Sequence, residues 1–240
     1  MNPLTVMIMS DDGLTIPDEE FFDKFNEVPI NKEFVIIQRM NDNVMQIADT
    51  VKVFKTSVKR RNLLFYGFDY LNSFHPSLDK EDFILTIGNA DGNGEIFNPI
   101  SFDPMIVFEL YFYAVTSGFS VAISCSSNIV TEEEIRDKDI VKVKVEQAPK
   151  YDTTRFLRHK NMKAKEFFRY DENAKGRHIP KLLAFNGFTL YKVKVFEEVM
   201  RTTGIWGSIE QQDILKNTNY NVGVCITDRE VSYGDYRSEG

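Results

Sequence analysis

Residues 51–58 read Val-Lys-Val-Phe-Lys-Thr-Ser-Val, and residues 191–196 read Tyr-Lys-Val-Lys-Val-Phe. Both stretches alternate with a period of about two and place lysine on one face. This pattern is typical of half-buried antiparallel strands, which bury one face and expose the other. The fold class therefore depends on how many other stretches of the chain have strand character.

Apolar, strand-like runs occur along most of the chain. They cover residues 4–9, 34–40, 44–58, 63–68, 83–87, 106–116, 119–124, 140–145, 184–196 and 220–226. Short polar links at 41–43 and 117–118 predict hairpin loops between neighbouring runs. The hydrophobic fraction of 42%, with 20 Phe and 10 Tyr, is enough for a packed core, and these aromatic residues favour strands.

Helical signals are few and short. Pro17 followed by acidic residues predicts a helix over 16–25, and capped turns or short helices are predicted at 131–136 and 208–216. We therefore predict an α+β fold that is mostly β. Its sheets are expected to be antiparallel, in a sandwich-like or barrel-like arrangement with a few short helices.

The chain is predicted to divide into segments that differ in composition. Residues 1–148 form a β-rich domain with a short N-terminal helix, and residues 149–183 form a basic arm or a helix insertion. Residues 184–240 supply strands and a short helix that complete the same domain or a second small one. The boundary near residues 147–150 is placed where the sign of the charge changes.

The basic block, residues 150–181, stands out in an acidic protein. It carries ten Lys or Arg against four Asp or Glu, a local charge of +6 in a chain of −7, so the remainder carries −13. A helix over 153–170 or an irregular arm fits this composition. The block locates a partner-binding surface, with these residues as its candidates: Arg155, Arg158, Lys160, Lys163, Lys165, Arg169 and Arg177.

Three interpretations of the basic block stay open. It is a solvated surface without a specific role, a complement to an acidic protein surface, or a nucleic-acid contact. Aromatic residues between the cations favour nucleic acid, whereas the acidic net charge favours protein subunits, with a homo-oligomer and other neighbours expected. Possible aromatic anchors for a partner are Trp206, Phe167 and Phe168.

The best metal signal is Asn-Ala-Asp-Gly-Asn-Gly-Glu-Ile at residues 89–96. It resembles the start of a calcium-binding EF-hand loop, in which Asp91 and Asn93 would be the oxygen ligands. The match then fails, because Asn89 replaces the first Asp and Ile100 stands where a bidentate Glu is needed. A glycine-rich turn is the preferred interpretation, so we predict no metal and no cofactor, with Asp91 and Asn93 as a weak candidate.

Local catalytic motifs are absent from the sequence. No Gly is followed by Lys, which excludes a Walker A loop, and neither a G-x-G-x-x-G nor a G-x-S-x-G pattern is present. His75, His159 and His178 lie far apart and not at metal-ligand spacing. No catalytic residue is therefore predicted, and the chain is predicted not to be an enzyme.

The sequence predicts neither secretion nor a membrane span. The N-terminal apolar run has no basic residues before it, and polar residues interrupt the apolar zone at 105–125. Cys125 and Cys225 fall in strand-like runs and are predicted to be buried free thiols in a reducing compartment. The protein is therefore expected to be cytoplasmic when synthesised, and incorporation into a virion is a further expectation.

The expected function is that of a non-enzymatic structural subunit in a large assembly. Many strands, many aromatic residues and opposed charge regions favour it, most concretely a bacteriophage virion component of the head–tail connector or tail-ring type. One alternative is an enzyme with a scattered active site that no local motif reveals. Another is a soluble binding or inhibitor module that uses the basic block as an arm.

Overall fold

The computed structural model describes residues 3–10, 19–39, 52–56, 78–87, 89–90, 96–97, 99–126, 141–146, 162–168, 182–195, 198, 219–229 and 231–233. In these ranges the two longer helices are α1 (Glu19–Asn26) and α2 (Met105–Ser117), and residues 193–195 and 198 are also helical. The strands, in chain order, are β1 (Leu4–Ser10), β2 (Lys32–Arg39), β3 (Lys52–Thr56), β4 (Phe83–Ile87), β5 (Asn89–Ala90), β6 (Ile96–Phe97), β7 (Pro99–Phe102), β8 (Val121–Ser126), β9 (Lys142–Glu146), β10 (Lys163–Phe168), β11 (Leu182–Lys192), β12 (Val222–Thr227) and β13 (Val231–Tyr233).

The main sheet has nine strands in the order β3-β2-β1-β4-β11-β8-β12-β10-β9. The strands β3, β2, β1 and β4 are mutually parallel. Strand β11 is antiparallel to β4 and to β8, and β12 is parallel to β8. An additional pairing of β9 with β11 closes the last strands into a five-stranded barrel. Two short pairs, β5–β6 and β7–β13, lie outside the main sheet.

The predicted fold class is confirmed: the protein is mostly β, barrel-like in part, with few helices. The sheet is mixed, however, and not purely antiparallel. Strand β3 contains residues 52–56 of the period-two stretch, yet it pairs parallel to β2. A period of two indicates a strand with two unlike faces, but it does not indicate whether the neighbouring strand is parallel or antiparallel. That neighbour comes from another part of the chain.

Apolar side chains fill both faces of the sheet. One cluster packs inside the barrel and continues over the parallel strands, with Met7, Ile123, Val143 and Val224 among its members. The other cluster lies between the sheet and the two helices. Its members include Val6 and Leu190 from strands, Phe25 from α1 and Leu110 from α2.

Helix α2 overturns the strand and the hairpin predicted at 106–118. The Asp103 carboxylate accepts a hydrogen bond from the Met105 backbone N–H at 2.9 Å, and Pro104 occupies the N-cap. At the other end Gly118 adopts a φ of 72° and donates its N–H to the Ala114 carbonyl at 3.0 Å. A left-handed glycine after the last turn is a usual helix end. This helix could not be recognised in the sequence because it is apolar on almost every side. The 3.6-residue alternation of apolar and polar residues that marks an amphipathic helix is therefore missing.

Other predicted elements have mixed outcomes. The helix proposed for 16–25 is present as α1, but the helix proposed for 153–170 is wrong where it can be compared, because 163–168 form strand β10. The strand predicted over 184–196 ends at Lys192, and residues 193–195 are helical. The runs at 63–68, 131–136 and 208–216 lie outside the described residues.

The main sheet contains strands from both sides of the basic block. The predicted division of the chain at residues 148 and 183 stays a prediction.

Candidate functional site

The carboxyl ends of several parallel strands lie at one edge of the sheet. Strands β1, β2, β3 and β4 end there, and so do β8 and β12, because β11 is antiparallel to both β4 and β8. The order in which the chain adds strands also reverses between β1 and β4, because β2 and β3 lie on one side of β1 and β4 lies on the other. In open sheets of this kind, ligands bind outside the carboxyl ends of the strands at such a reversal.

The sheet divides at this edge, beside β4. The second half of β11 pairs with β4 through Phe188–Lys192, and the first half pairs with β9 through Leu182–Ala184. Between the two halves the register with β8 shifts, so β11 carries a bulge. Gly187 lies in this bulge with a φ of 76°, a conformation that costs glycine little and other residues more. Bulges occur often beside active sites, where they redirect side chains.

The bulge places the side-chain amide of Asn186 where β11 changes its partner from β9 to β4. Asn186 is 4% exposed, and its Nδ2 donates a hydrogen bond to Oγ of Ser124 at 3.4 Å. Ser124 is itself buried, on strand β8. The ring of Phe188, two residues further on, packs edge-on against Phe102 at 4.7 Å and so ties the bulge to the segment that leads into α2.

Next to the bulge, a row of mostly small residues crosses the carboxyl edge. Thr227 of β12 is paired with Ser126 of β8, Ser126 with Ala184 of β11, and Ala184 with Lys142 of β9. Paired residues point to the same face of a sheet. Lys142 is fully buried, so its side chain is enclosed at one end of this row. We call the set Ser124, Ser126, Lys142, Ala184, Asn186 and Gly187 the fork site.

A network of charged groups fixes the position of α2 relative to this edge. Arg229 Nε donates to the Glu109 carboxylate at 2.8 Å, and the Arg229 guanidinium also pairs with Asp103. The other Glu109 oxygen accepts a hydrogen bond from the Thr227 hydroxyl at 2.9 Å. Hydrogen bonds to Glu109 and Asp103 raise the pKa of Arg229 above its usual value. This network holds the end of β12 against the start of α2.

The two thiols are packing groups and not nucleophiles. Cys125 faces the barrel interior, and Cys225 faces α2; both are free and buried, as predicted. Burial raises the pKa of Cys225 to about 12 and raises the pKa of Cys125 well above its usual value. At neutral pH both sulfurs are therefore protonated, and nucleophilic chemistry requires the thiolate.

A second concave feature lies at the opposite, amino edge of the sheet. It is a cleft of about 230 Å³ lined by residues from β1, β4, α2 and β11, including Leu4, Phe83 and Tyr111. At its rim Glu81 bridges Lys192 at 2.5 Å and Lys194 at 2.6 Å. Hydrogen bonds from these lysines lower the pKa of Glu81 to about 2. The Glu81 side chain is largely exposed, so water and salt weaken the bridge.

The described part of the basic block lies on the barrel. Lys165 pairs with Glu146 of β9 at 3.5 Å, and Glu166 pairs with Lys144 at 3.8 Å. Phe167 packs against the barrel core, and Lys163 is half-buried. Phe168 ends β10. Outside the described residues lie Arg155, Arg158, Lys160, Arg169, Arg177 and Trp206, so the partner-binding role of the block stays a prediction.

The weak calcium candidate also falls outside the described residues. Asp91 and Asn93 lie between β5 and β6, which pair antiparallel through Asn89–Phe97 and Ala90–Ile96. Strands therefore flank residues 91–95, whereas an EF-hand loop is flanked by helices. Within the part of the chain that the structure describes, no group of three His, Cys, Asp or Glu side chains could hold a metal ion.

Sequence reasoning did not identify the fork site. Asn186 and Gly187 lie inside a run predicted as one strand, where an Asn-Gly pair is a recognisable signal for a bulge. Lys142 lies in another predicted strand, and its burial depends on which strands become neighbours. The sequence therefore contained a signal for the bulge, but no signal for the row that it joins.

Comparisons with known proteins identify the fold. No protein-family model matches the sequence, and no curated protein matches it. Among solved structures, a crystal structure of 4-diphosphocytidyl-2C-methyl-D-erythritol synthase aligns with a TM-score of 0.56 and 10% identity. The alignment covers 95% of this chain and 90% of the synthase chain. At this identity, the likeness establishes a shared fold.

The shared fold corrects the function predicted from composition. The prediction of a structural virion component is wrong, because the fold of the chain resembles that of an enzyme along almost its whole length. That prediction rested on composition alone. The expectation that no segment spans a membrane agrees with the described helices, none of which is long and apolar enough to cross one.

Proposed function

We propose that this protein is an enzyme that makes or breaks a bond at the diphosphate of a nucleotide substrate. The substrate binds at the carboxyl edge of the sheet, beside the fork site. The observation that carries the proposal is the reversal of strand order between β1 and β4 at the edge where β11 divides the sheet. Open sheets with this arrangement bind nucleotides at that edge.

The solved neighbour supports the chemical class of the substrate. It is a synthase whose name specifies a diphosphocytidyl compound, and its fold matches this chain over 95% of the residues. A shared fold raises the prior for a shared substrate class but does not establish it. The absence of local motifs predicted a non-enzyme, and the structural comparison leaves that prediction untested. The arrangement of residues in the fork site is the reason to propose that the protein is an enzyme.

The fork site has the chemistry that a diphosphate needs. Gly187 has no side chain, so phosphate oxygens can approach the backbone at the bulge. Ser124 and Asn186 supply a hydroxyl and an amide at the same place. Ser126 and Ala184 are small and leave room in the row. In this proposal the enclosed Lys142 side chain at its end is protonated and attracts the diphosphate. A cation and neutral donors together favour an anionic group.

The proposal is tested by calorimetric titration with cytidine and other nucleoside di- and triphosphates in the presence of Mg²⁺. We expect a dissociation constant of about 1 µM to 1 mM, the usual range for enzyme substrates. The variant Ser126→Glu places a carboxylate in the row. Repulsion of a doubly charged phosphate group about 8 Å away, at an effective dielectric of about 40, costs about 2 kcal/mol. Binding should therefore weaken at least tenfold, since about 1.4 kcal/mol corresponds to a factor of ten.

The matched control is Ser120→Glu, which changes the charge equally at the opposite end of β8. Both serines are half-buried, so the two variants perturb similar environments. We expect Ser120→Glu to bind nucleotide within about twofold of the natural protein. Equal weakening by both variants would place the nucleotide elsewhere. Failure of every nucleotide to bind at millimolar concentration would overturn the proposal. Mass spectrometry of the nucleotide pool should reveal which phosphate bond is broken.

A further inference from the structure

Arg229 lies at the carboxyl edge of the sheet, two residues beyond the end of β12. Strands β7 and β13 pair antiparallel with Phe102 opposite Val231, so Asp103 and Arg229 meet at the same end of this short ribbon. The Arg229 guanidinium pairs there with Asp103 and with Glu109 of α2. Arginine is well suited to the recognition of phosphate groups, so its position relative to the fork site is important.

Two separate contacts place Arg229 beside the fork site. The first passes through Thr227, whose hydroxyl accepts the Arg229 backbone N–H at 3.2 Å and which is paired with Ser126 on the next strand. The second passes through Phe102, whose ring packs edge-on against Phe188 next to the bulge at 4.7 Å. Neighbouring strands lie about 4.8 Å apart. The charged network around Arg229 and the row of small residues therefore adjoin each other.

Arg229 is a cation that a ligand at this edge can reach. Its side chain is 33% exposed, whereas Lys142 at the other end of the row is fully buried. Among the described residues, the bonds of Arg229 to Glu109 and Asp103 use Nε and Nη1, and no acceptor is bonded to Nη2. The two carboxylates therefore fix the plane of the guanidinium and leave one nitrogen, with two N–H donors, for a ligand.

The network carries charges of both signs, which narrows the class of ligand. The carboxylates of Asp103 and Glu109 outnumber the guanidinium, so an uncomplexed anion gains little from the network as a whole. A nucleotide diphosphate bound to Mg²⁺ has lost most of its negative charge and still presents phosphate oxygens as acceptors. Charge-assisted hydrogen bonds to such oxygens depend on direction as well as on charge. A guanidinium held by two carboxylates already has its direction fixed.

We propose that Arg229 donates through Nη2 to a phosphate oxygen of the nucleotide diphosphate, with Asp103 and Glu109 as positioning residues that hold the guanidinium. This inference rests on the proposed function and adds to it a phosphate-binding residue outside the fork site. The ligand is then a Mg²⁺–nucleotide complex whose phosphates lie between Arg229 and the row. The small side chains of Ser126 and Ala184 leave the space that the phosphates need.

The first test compares calorimetric titrations of the natural protein, Arg229→Gln and Arg229→Lys with cytidine diphosphate and Mg²⁺. Both variants should bind about tenfold more weakly, because neither has a guanidinium to donate to the phosphate. Arg229→Lys keeps the charge and can still pair with Glu109. Natural affinity in that variant would mean that Arg229 only fastens α2 to β12, and would overturn the proposal.

The matched control is Lys192→Gln, which removes one positive charge and one bridge to Glu81 at the amino edge. Its affinity should stay within about twofold of the natural protein, because the charge lies far from the site and is screened. Equal weakening by the control would also overturn the proposal, since the effect would then not be local to Arg229. Circular dichroism checks that each variant is folded.

The second test uses the natural protein, so it decides the case even if a variant does not fold. Phenylglyoxal modifies accessible arginine side chains, and mass spectrometry of peptides locates the modified residue. Cytidine diphosphate with Mg²⁺, at about ten times its dissociation constant, should slow modification of Arg229 about tenfold, in proportion to the occupied sites. Unchanged modification at that occupancy would overturn this inference and leave nucleotide binding intact. Failure of the natural protein to bind any nucleotide is the separate result that overturns the proposed function.

Discussion

Gly223 of β12 is packed so closely that a single methyl group should destabilise the protein. A Cβ atom built at Gly223 would lie 2.4 Å from Cδ2, 2.7 Å from Cγ and 3.0 Å from Cε2 of the Phe119 ring. Real Cβ contacts are essentially never this short, so the ring must move in Gly223→Ala. Phe119 is half-buried and stacks on Tyr113 with ring centroids 5.9 Å apart.

The cost of that movement can be worked out from its parts. Forcing extra volume into a packed site costs about 1–3 kcal/mol, and part of this is the aromatic pair with Tyr113, worth about 0.5–1.5 kcal/mol. Alanine is favoured over glycine within a strand by about 0.5–1 kcal/mol. Gly223→Ala should therefore lower the free energy of unfolding by about 1–2 kcal/mol. In a Phe119→Ala background the obstruction is gone, and the same change should be neutral or stabilising.

Urea unfolding of the natural protein, both single variants and the double variant completes the cycle. The coupling energy between Gly223 and Phe119 should be about 1–3 kcal/mol, within the range found for residues in contact. Agreement of fluorescence and circular dichroism transitions checks that unfolding is two-state. If Gly223→Ala costs the same with and without the Phe119 ring, the reasoning from this close contact is refuted.

Two further predictions concern titratable groups. The folded-state pKa of Glu81 is lowered from 4.5 to about 2, so its bridge to Lys192 and Lys194 stabilises the protein above about pH 4.5 and is lost as the pH falls towards 2. The stability difference between the natural protein and Glu81→Gln should shrink over that window in denaturant titrations, and a difference that grows there would contradict the assignment. Cys125 and Cys225 should resist a disulfide reagent at pH 8 in the folded protein and react after unfolding, because burial raises both pKa values; rapid labelling of the folded protein would disprove their burial.

The sequence predicted strands well where each strand could be recognised locally. Strands β1, β2, β4 and β12 form where apolar runs were found, because a run of this length bounded by polar residues has few other structures. Helix α2 was missed because it is apolar both on the side that faces the sheet and on the opposite side, so it lacks the pattern of an amphipathic helix. The parallel pairing of β3 was missed because strand direction depends on distant segments.

The candidate site was beyond local sequence reasoning for a related reason. The row of Thr227, Ser126, Ala184 and Lys142 joins residues from four strands that are far apart in the chain. Each of these residues is unremarkable in its own segment. The Asn-Gly pair in the bulge was visible, but its meaning depends on the division of the sheet between β4 and β9.

The central claim is that a nucleotide diphosphate binds at the carboxyl edge of the sheet, and hydrogen exchange can locate it directly. Exchange of the natural protein is compared with and without cytidine diphosphate and Mg²⁺ at saturation. We predict slower exchange in peptides that contain residues 121–126 and 182–188, which include the end of β8 and the bulge of β11. Slower exchange confined to residues 78–83 and 111–118 at the amino edge, or no change at saturation, would contradict the account.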